Sequence, residues 1–163
     1  MTLSPFDRGV LLDRYEAGPA LLRQAWSEVP AAARLWRPGE GKWSAHEVVV
    51  HCADSEAYAH TRIRLLLAEP APLIVGYDEN RWAQVFDYHA QDVEGAFATI
   101  DAVRANTVAL LRRLPDGAFG KVGRHTDSGS YSDADWFRIY GEHLEVHAAQ
   151  IRRNLAAWQA AQG

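Results

Sequence analysis

Four stretches of this chain place apolar residues at steps of three and four over several turns, and no stretch of similar length alternates with period two. That pattern predicts an all-α fold. Amphipathic helices with one wide apolar face each bury those faces most simply against one another, as a four-helix bundle. The length of 163 residues matches one domain, expected to run over 1–163.

The first helix is predicted from about Phe6 to Val29, on a stripe of Leu11, Tyr15, Gly18, Leu22, Trp26 and Val29. Gly18-Pro19 lies inside it, and a proline there predicts a kink or a break into two pieces. The second helix has the clearest start. Ser44-Ala45-His46-Glu47 reads as a capping box, so helix begins at Ala45 and carries Val48, His51, Cys52, Ser55, Ala59, Arg62, Ile63 and Leu66 on one stripe until Glu69-Pro70-Ala71-Pro72. A third stripe begins near Asp78 to Asn80 and continues unbroken through Trp82, Phe86, His89, Val93, Phe97 and Ile100 to Leu114, where Pro115-Asp116-Gly117 stops it. A glycine-rich loop is expected from there to Asp133. The last helix opens at Ser132-Asp133-Ala134-Asp135 and runs to about Gln159.

Charge excludes some partners. Lys and Arg number 17 against 21 Asp and Glu, a net charge of −4, so neither nucleic acid nor an anionic membrane is expected. The single cysteine, Cys52, cannot form an intramolecular disulfide, which suits a reducing compartment. With no cationic and apolar leader in MTLSPFDRGV and no apolar run approaching a membrane span, a cytoplasmic protein is expected.

The seven histidines hold the chemistry. His143 and His147 fall one turn apart within the last helix's stripe of Trp136, Tyr140, Ile151, Leu155 and Trp158, so both are expected to point at the core. Such a pair also arises as satisfied core or rim residues. Two imidazoles in a dry interior repel if both are protonated, whereas a divalent cation takes one neutral nitrogen from each. His51, on the inward stripe of another helix, completes a triad. The helical zincin motif His-Glu-x-x-His is absent, because Leu144 stands where its glutamate would be and Glu145 points to solvent. A base must therefore come from elsewhere. Glu47, one turn before His51, has a capping duty; His125 and Tyr140 are further candidates for a hydrogen bond to substrate. His46 is expected to be exposed, His60 to fall off the stripe and His89 to be structural, while Cys52 reads as packing. Trp43 and Trp82 are candidates to line a pocket.

Lys42 through His51, followed by Ala53-Asp54-Ser55-Glu56, resembles the second-helix motif of the DinB/YfiT-like superfamily. Tyr15 to Pro19, Tyr77 to Ala83, and His143 through His147 to Ile151 extend the likeness over most of the chain. The resemblance implies an up-down-down-up bundle, often homodimeric, with a divalent metal held by His51, His143 and His147. Nickel or zinc is the expected ion, with iron or manganese as alternatives. It also likens His125 and Gly129 to a histidine and glycine before the last helix. The implied activity on a small-molecule substrate is that of a thiol-dependent S-transferase using a low-molecular-weight thiol, or a hydrolase. The missing zincin glutamate favours the thiol, because a thiolate needs less help from a base than water does. The alternative is a stress-response protein that binds metal or ligand without turnover.

Overall fold

The computed structural model describes residues 2–163. Four long helices form the body: α1 (Pro5–Ser27), α2 (Ala45–Ala68), α4 (Val93–Arg113) and α5 (Asp133–Ala160), with a short α3 (Glu79–Val85) between the middle two. Both capping boxes form, Ser44 with Glu47 and Ser132 with Asp135, and each sets the entry of the helix it begins. Arg14 reaches Glu142 and Glu145, and Arg152 reaches Glu28, so α1 and α5 run parallel. His46 meets the Gln91 carbonyl just ahead of α4, Glu56 meets Arg104 and His60 meets Thr107, so partners advance together and α2 is parallel to α4. Antiparallel pairings complete the ring: Arg23 with Asp101 and Arg112 with Glu16 between α1 and α4, and Arg62 with Tyr140 between α2 and α5. The bundle is up-down-down-up.

Three expectations need correction. Of the kink or break expected at Gly18-Pro19, the break does not occur; α1 is one helix with Pro19 inside it. A proline at 19 leaves the Tyr15 carbonyl without its usual helical donor, since that bond would come from residue 19. Arg104 Nη1 from α4 donates to that carbonyl instead. Gly18 makes the space, because a Cβ there would collide with the same nitrogen. Glycine and proline together form a socket for a guanidinium.

The third stripe is not one helix. Asp87 takes a left-handed conformation with φ of 42°, a single 3-10 turn spans Tyr88–Ala90, and Asp92 caps α4 through the amides of Glu94 and Gly95. Apolar spacing carries through the break because Tyr88 and Val93 are both buried. Finally, the stretch after Pro115 is more than a loop. Strands β2 (Val122–His125) and β3 (Gly129–Ser132) form a hairpin, and β1 (Leu73–Ile74) pairs in parallel with β2.

The interior contains two apolar clusters. One gathers Leu22, Val48, Phe97, Leu144 and Ile151; the other gathers Leu12, Ile63, Leu111, Trp136 and Phe137. On every long helix a polar feature falls between the two sets, namely the Tyr15 carbonyl with the space left by Gly18, Glu56, Arg104 and the Tyr140 carbonyl. Arg104 donates to Glu56 Oε1 at 2.6 Å and to the Tyr140 carbonyl at 3.2 Å, while the Tyr15 hydroxyl donates to Glu56 Oε2 at 2.8 Å. All four helices meet at this one guanidinium.

Candidate metal centre

His51 projects from the second turn of α2 and is fully buried, with the Trp43 ring packed on it at 4.6 Å. Asn154 donates to the Trp43 carbonyl at 2.8 Å and ties that loop to α5. His143 and His147 lie one turn apart on α5, but at the edge of its buried face rather than in its centre, where Leu144 and Ala148 stand. The expectation that both point into the core is corrected to this extent: they wall the site and keep part of their rings open to solvent.

The structure brings these three together. One nitrogen from each falls within 4.8 Å of the others, and the Nε2 atoms of His143 and His147 are 3.2 Å apart. An ion bonded to imidazoles at roughly 2.1 Å in tetrahedral geometry sets its nitrogens about 3.4 Å apart, close to that spacing. Burial, followed by the charge of His147, holds His51 down to about 3. Burial is also the main cause that lowers His143 and His147. The set is neutral at neutral pH, as ligands must be.

Hydrogen bonding orients the rings. His147 Nδ1 donates to Gln150 Oε1 at 2.8 Å, which leaves its Nε2 bare and turned to His143. The Nδ1 atoms of His51 and His143 are buried without a partner, and the closest carboxylate oxygen to the latter is Glu56 Oε1 at 4.0 Å. Ser55 Oγ lies 3.5 Å from His143 Nε2. These residues fit a divalent cation: three neutral nitrogens converge, and the interior offers them no protein partner sufficient to replace it.

Other predicted residues lie elsewhere. Glu47 accepts from the Ser44 amide at 2.8 Å and from Arg37 at 2.9 Å, with His89 Nε2 at 3.1 Å, so its carboxylate is engaged away from the triad. His125, on β2, accepts from the amides of Asp127 and Ser128 and shapes its own hairpin turn. Tyr140 is buried beside His143 with ring centres 5.8 Å apart, and its oxygen accepts from Arg62. His46, expected to be exposed, is half-buried and bonded to the Gln91 carbonyl at 3.0 Å. Trp82 packs with Tyr58, Tyr77 and Phe86. Apolar spacing does not mark Arg104, Glu56, Arg62, Tyr77 or Tyr131 as members of the site's surroundings. A charged residue inside an apolar stripe was the available signal for Arg62.

Comparison with known proteins agrees with this architecture. The family model described as DinB superfamily matches residues 14–151. Two relatives are provisionally named metal-dependent hydrolases. YfiT of Bacillus subtilis is 36% identical over 138 residues, covering 83% of this chain and 77% of its own. OB0782 of Oceanobacillus iheyensis is 34% identical over 111 residues, covering 68% of this chain and 64% of its own, so the match spans less than two thirds of that protein. The solved structure of YfiT, described as having an unusual four-helix bundle topology, aligns with a TM-score of 0.86 at 28% identity over 94% of this chain and 88% of that one. A mycothiol-dependent maleylpyruvate isomerase aligns at 0.70 with 13% identity over 91% of this chain and 61% of its own, a likeness of fold alone. From helix order to matched residues, this chain belongs to the DinB superfamily.

Proposed function

We propose that this protein is a metal-dependent enzyme acting on a small molecule, with His51, His143 and His147 holding one divalent ion. The observation that carries the reading is the convergence of three neutral imidazoles from two helices, one buried and two at the edge of the core, with an unpartnered nitrogen on His51 and on His143. A bound divalent ion supplies Lewis acidity and lowers the pKa of a coordinated water or thiol. Nickel or zinc suits an all-imidazole set, with iron or manganese as alternatives.

The chain's own residues bear on the nucleophile. Among the described residues Glu56, the one carboxylate within 4.0 Å of a triad ring, is bonded to Arg104 and Tyr15; Glu47 is bonded to Arg37 and Glu145 to Arg14, while Glu79 forms no ion pair and interacts with Arg62 rather than with the triad. Activated water wants a base in reach, whereas a thiol bound as thiolate needs none. We therefore infer a low-molecular-weight thiol as cosubstrate and S-transfer as the reaction. Hydrolysis is the second reading, favoured by the names of the relatives.

Elemental analysis of protein purified without a histidine tag should give about one divalent ion per chain, lost in His143→Ala and His147→Ala. His60→Ala should keep it, since His60 bonds Thr107 on another face. Protein that carries no ion and takes up neither nickel nor zinc would overturn the metal reading. Steady-state rates with a panel of thiols, electrophiles and esters then separate transfer from hydrolysis. A metal-loaded protein with no rate above the blank would be a binding protein without turnover.

A further inference from the structure

Beside the triad stands a wall made of hydrogen-bond donors. His51, Ser55 and Arg62 share one face of α2, with Arg62 about three turns beyond His51. The Arg62 guanidinium donates Nη1 to the Tyr140 oxygen and Nη2 to the Val75 carbonyl, each at 2.9 Å, and leans over the Tyr58 ring. A guanidinium has five N–H donors, and these contacts use two; Nε is buried with no partner. The phenol oxygens of Tyr77 and Tyr131 are also buried and unpartnered, and both lie within electrostatic reach of Arg62 and Tyr140. Tyr131 is only 5% exposed. Ser55 neighbours both Tyr77 and Tyr140 and touches His143, so it joins this wall to the triad.

Arg62, half-buried at the side of the bundle, differs from Arg104 in its interior. Arg104 has the Glu56 carboxylate at 2.6 Å. Among the described residues Arg62 forms no ion pair. Glu79, at the start of α3, faces it from beyond contact distance, and burial raises that carboxyl while Arg62 partly offsets the rise. Buried donors without acceptors in a native site call for an absent partner. One positive charge, three spare N–H groups and phenol hydroxyls around it match an oxyanion, which guanidinium grips through two parallel bonds. The small sheet gains a purpose here. β1 leads directly into Val75 and Tyr77, and β3 carries Tyr131.

We propose that Arg62, with Tyr77, Tyr131 and Tyr140, binds an anionic group, carboxylate or phosphate, of the molecule processed at the histidine triad. That the anion belongs to the triad's substrate rests on the proposed function; that Arg62 takes an anion does not. The test is calorimetric titration of the full-length protein, as purified and zinc-loaded, with succinate, inorganic phosphate and uncharged succinamide. Succinate or phosphate should bind and succinamide should not, and Arg62→Met should weaken the anion at least about tenfold, the scale of a lost charge-assisted pair. Tyr131→Phe should weaken it by a smaller factor. Zinc content should stay unchanged in both variants. Should Arg62→Met fail to fold, Arg62→Lys keeps the charge and loses the fork, and should lie between the two. Whichever of succinate and phosphate shows the dependence on Arg62 identifies the anion. The proposal is overturned if neither anion binds, if succinamide binds as well as succinate, or if binding survives Arg62→Met undiminished, which would place the anion on the metal or elsewhere. A protein that takes up no zinc yet binds an anion through Arg62 would sink the metal reading and leave this one standing.

Discussion

Where the two apolar clusters meet, Arg104 and Glu56 are buried as a pair of opposite charges, 2.6 Å apart. One turn along α5, His143 and His147 meet His51 of α2, one ring buried and two half-buried, and burial keeps them neutral. The first group is nearly complete within the protein: Arg104 donates to a carboxylate and two main-chain carbonyls, only its Nε lacks a partner, and the Tyr15 phenol donates to the same carboxylate. The second is incomplete, with ring nitrogens that meet each other or nothing. A polar cluster that serves the fold closes on itself, whereas one that serves a ligand leaves places open.

Breaking the closed group should have the largest effect. Arg104→Met strands the buried Glu56 carboxylate and should cost about 3–5 kcal/mol in urea denaturation, while Arg104→Met with Glu56→Leu should recover most of it, because both charges then leave together. A double variant as unstable as the single one would mean that the pair is not a unit. The open group should respond to pH instead. The metal-free folded protein holds His51 near 3 against an ordinary 6.5. The unfolded chain therefore binds a proton that the folded chain refuses. Stability is full above about pH 6.5 and falls as pH drops towards about 3, at about 1.4 kcal/mol per pH unit for each such imidazole. His51→Leu should flatten that slope by one imidazole's share; an unchanged slope would show that the ring is not buried neutral. A subtler probe is Gly18→Ala. Its Cβ would press on Arg104 Nη1 and stand 3.0 Å from Leu144 Cβ, so a loss of about 1–3 kcal/mol is expected, with ion content untouched.

Much of this comparison was legible before coordinates. Both capping boxes and the stripes through His51, His143 and His147 could be read from spacing, because helical periodicity fixes which residues share a face. The closed group could not. Arg104 is buried within a stripe whose apolar members, Ile100 and Val108, suggest nothing charged between them, and only the proline on α1 explains its partner. The break before Asp92 was hidden for another reason. Tyr88 and Val93 keep the apolar rhythm across a left-handed residue, although Asp92 ahead of Glu94 and Gly95 was a usable cap signal. The sheet escaped notice because strands of two and four residues are too short for alternation to show. Arg62, Tyr77 and Tyr131 come from three elements, and their meeting depends on that sheet.

The parallel arrangement of α1 and α5 has a practical consequence for anyone attaching a reporter or a fusion partner. The first turns of α1 lie beside the early turns of α5, and α5, 28 residues and about 40 Å long at the helical rise, ends far from them. Cargo joined ahead of α1 and cargo joined behind α5 leave from opposite poles of the molecule. A circularly permuted version would need a tether long enough to travel the full height of the bundle.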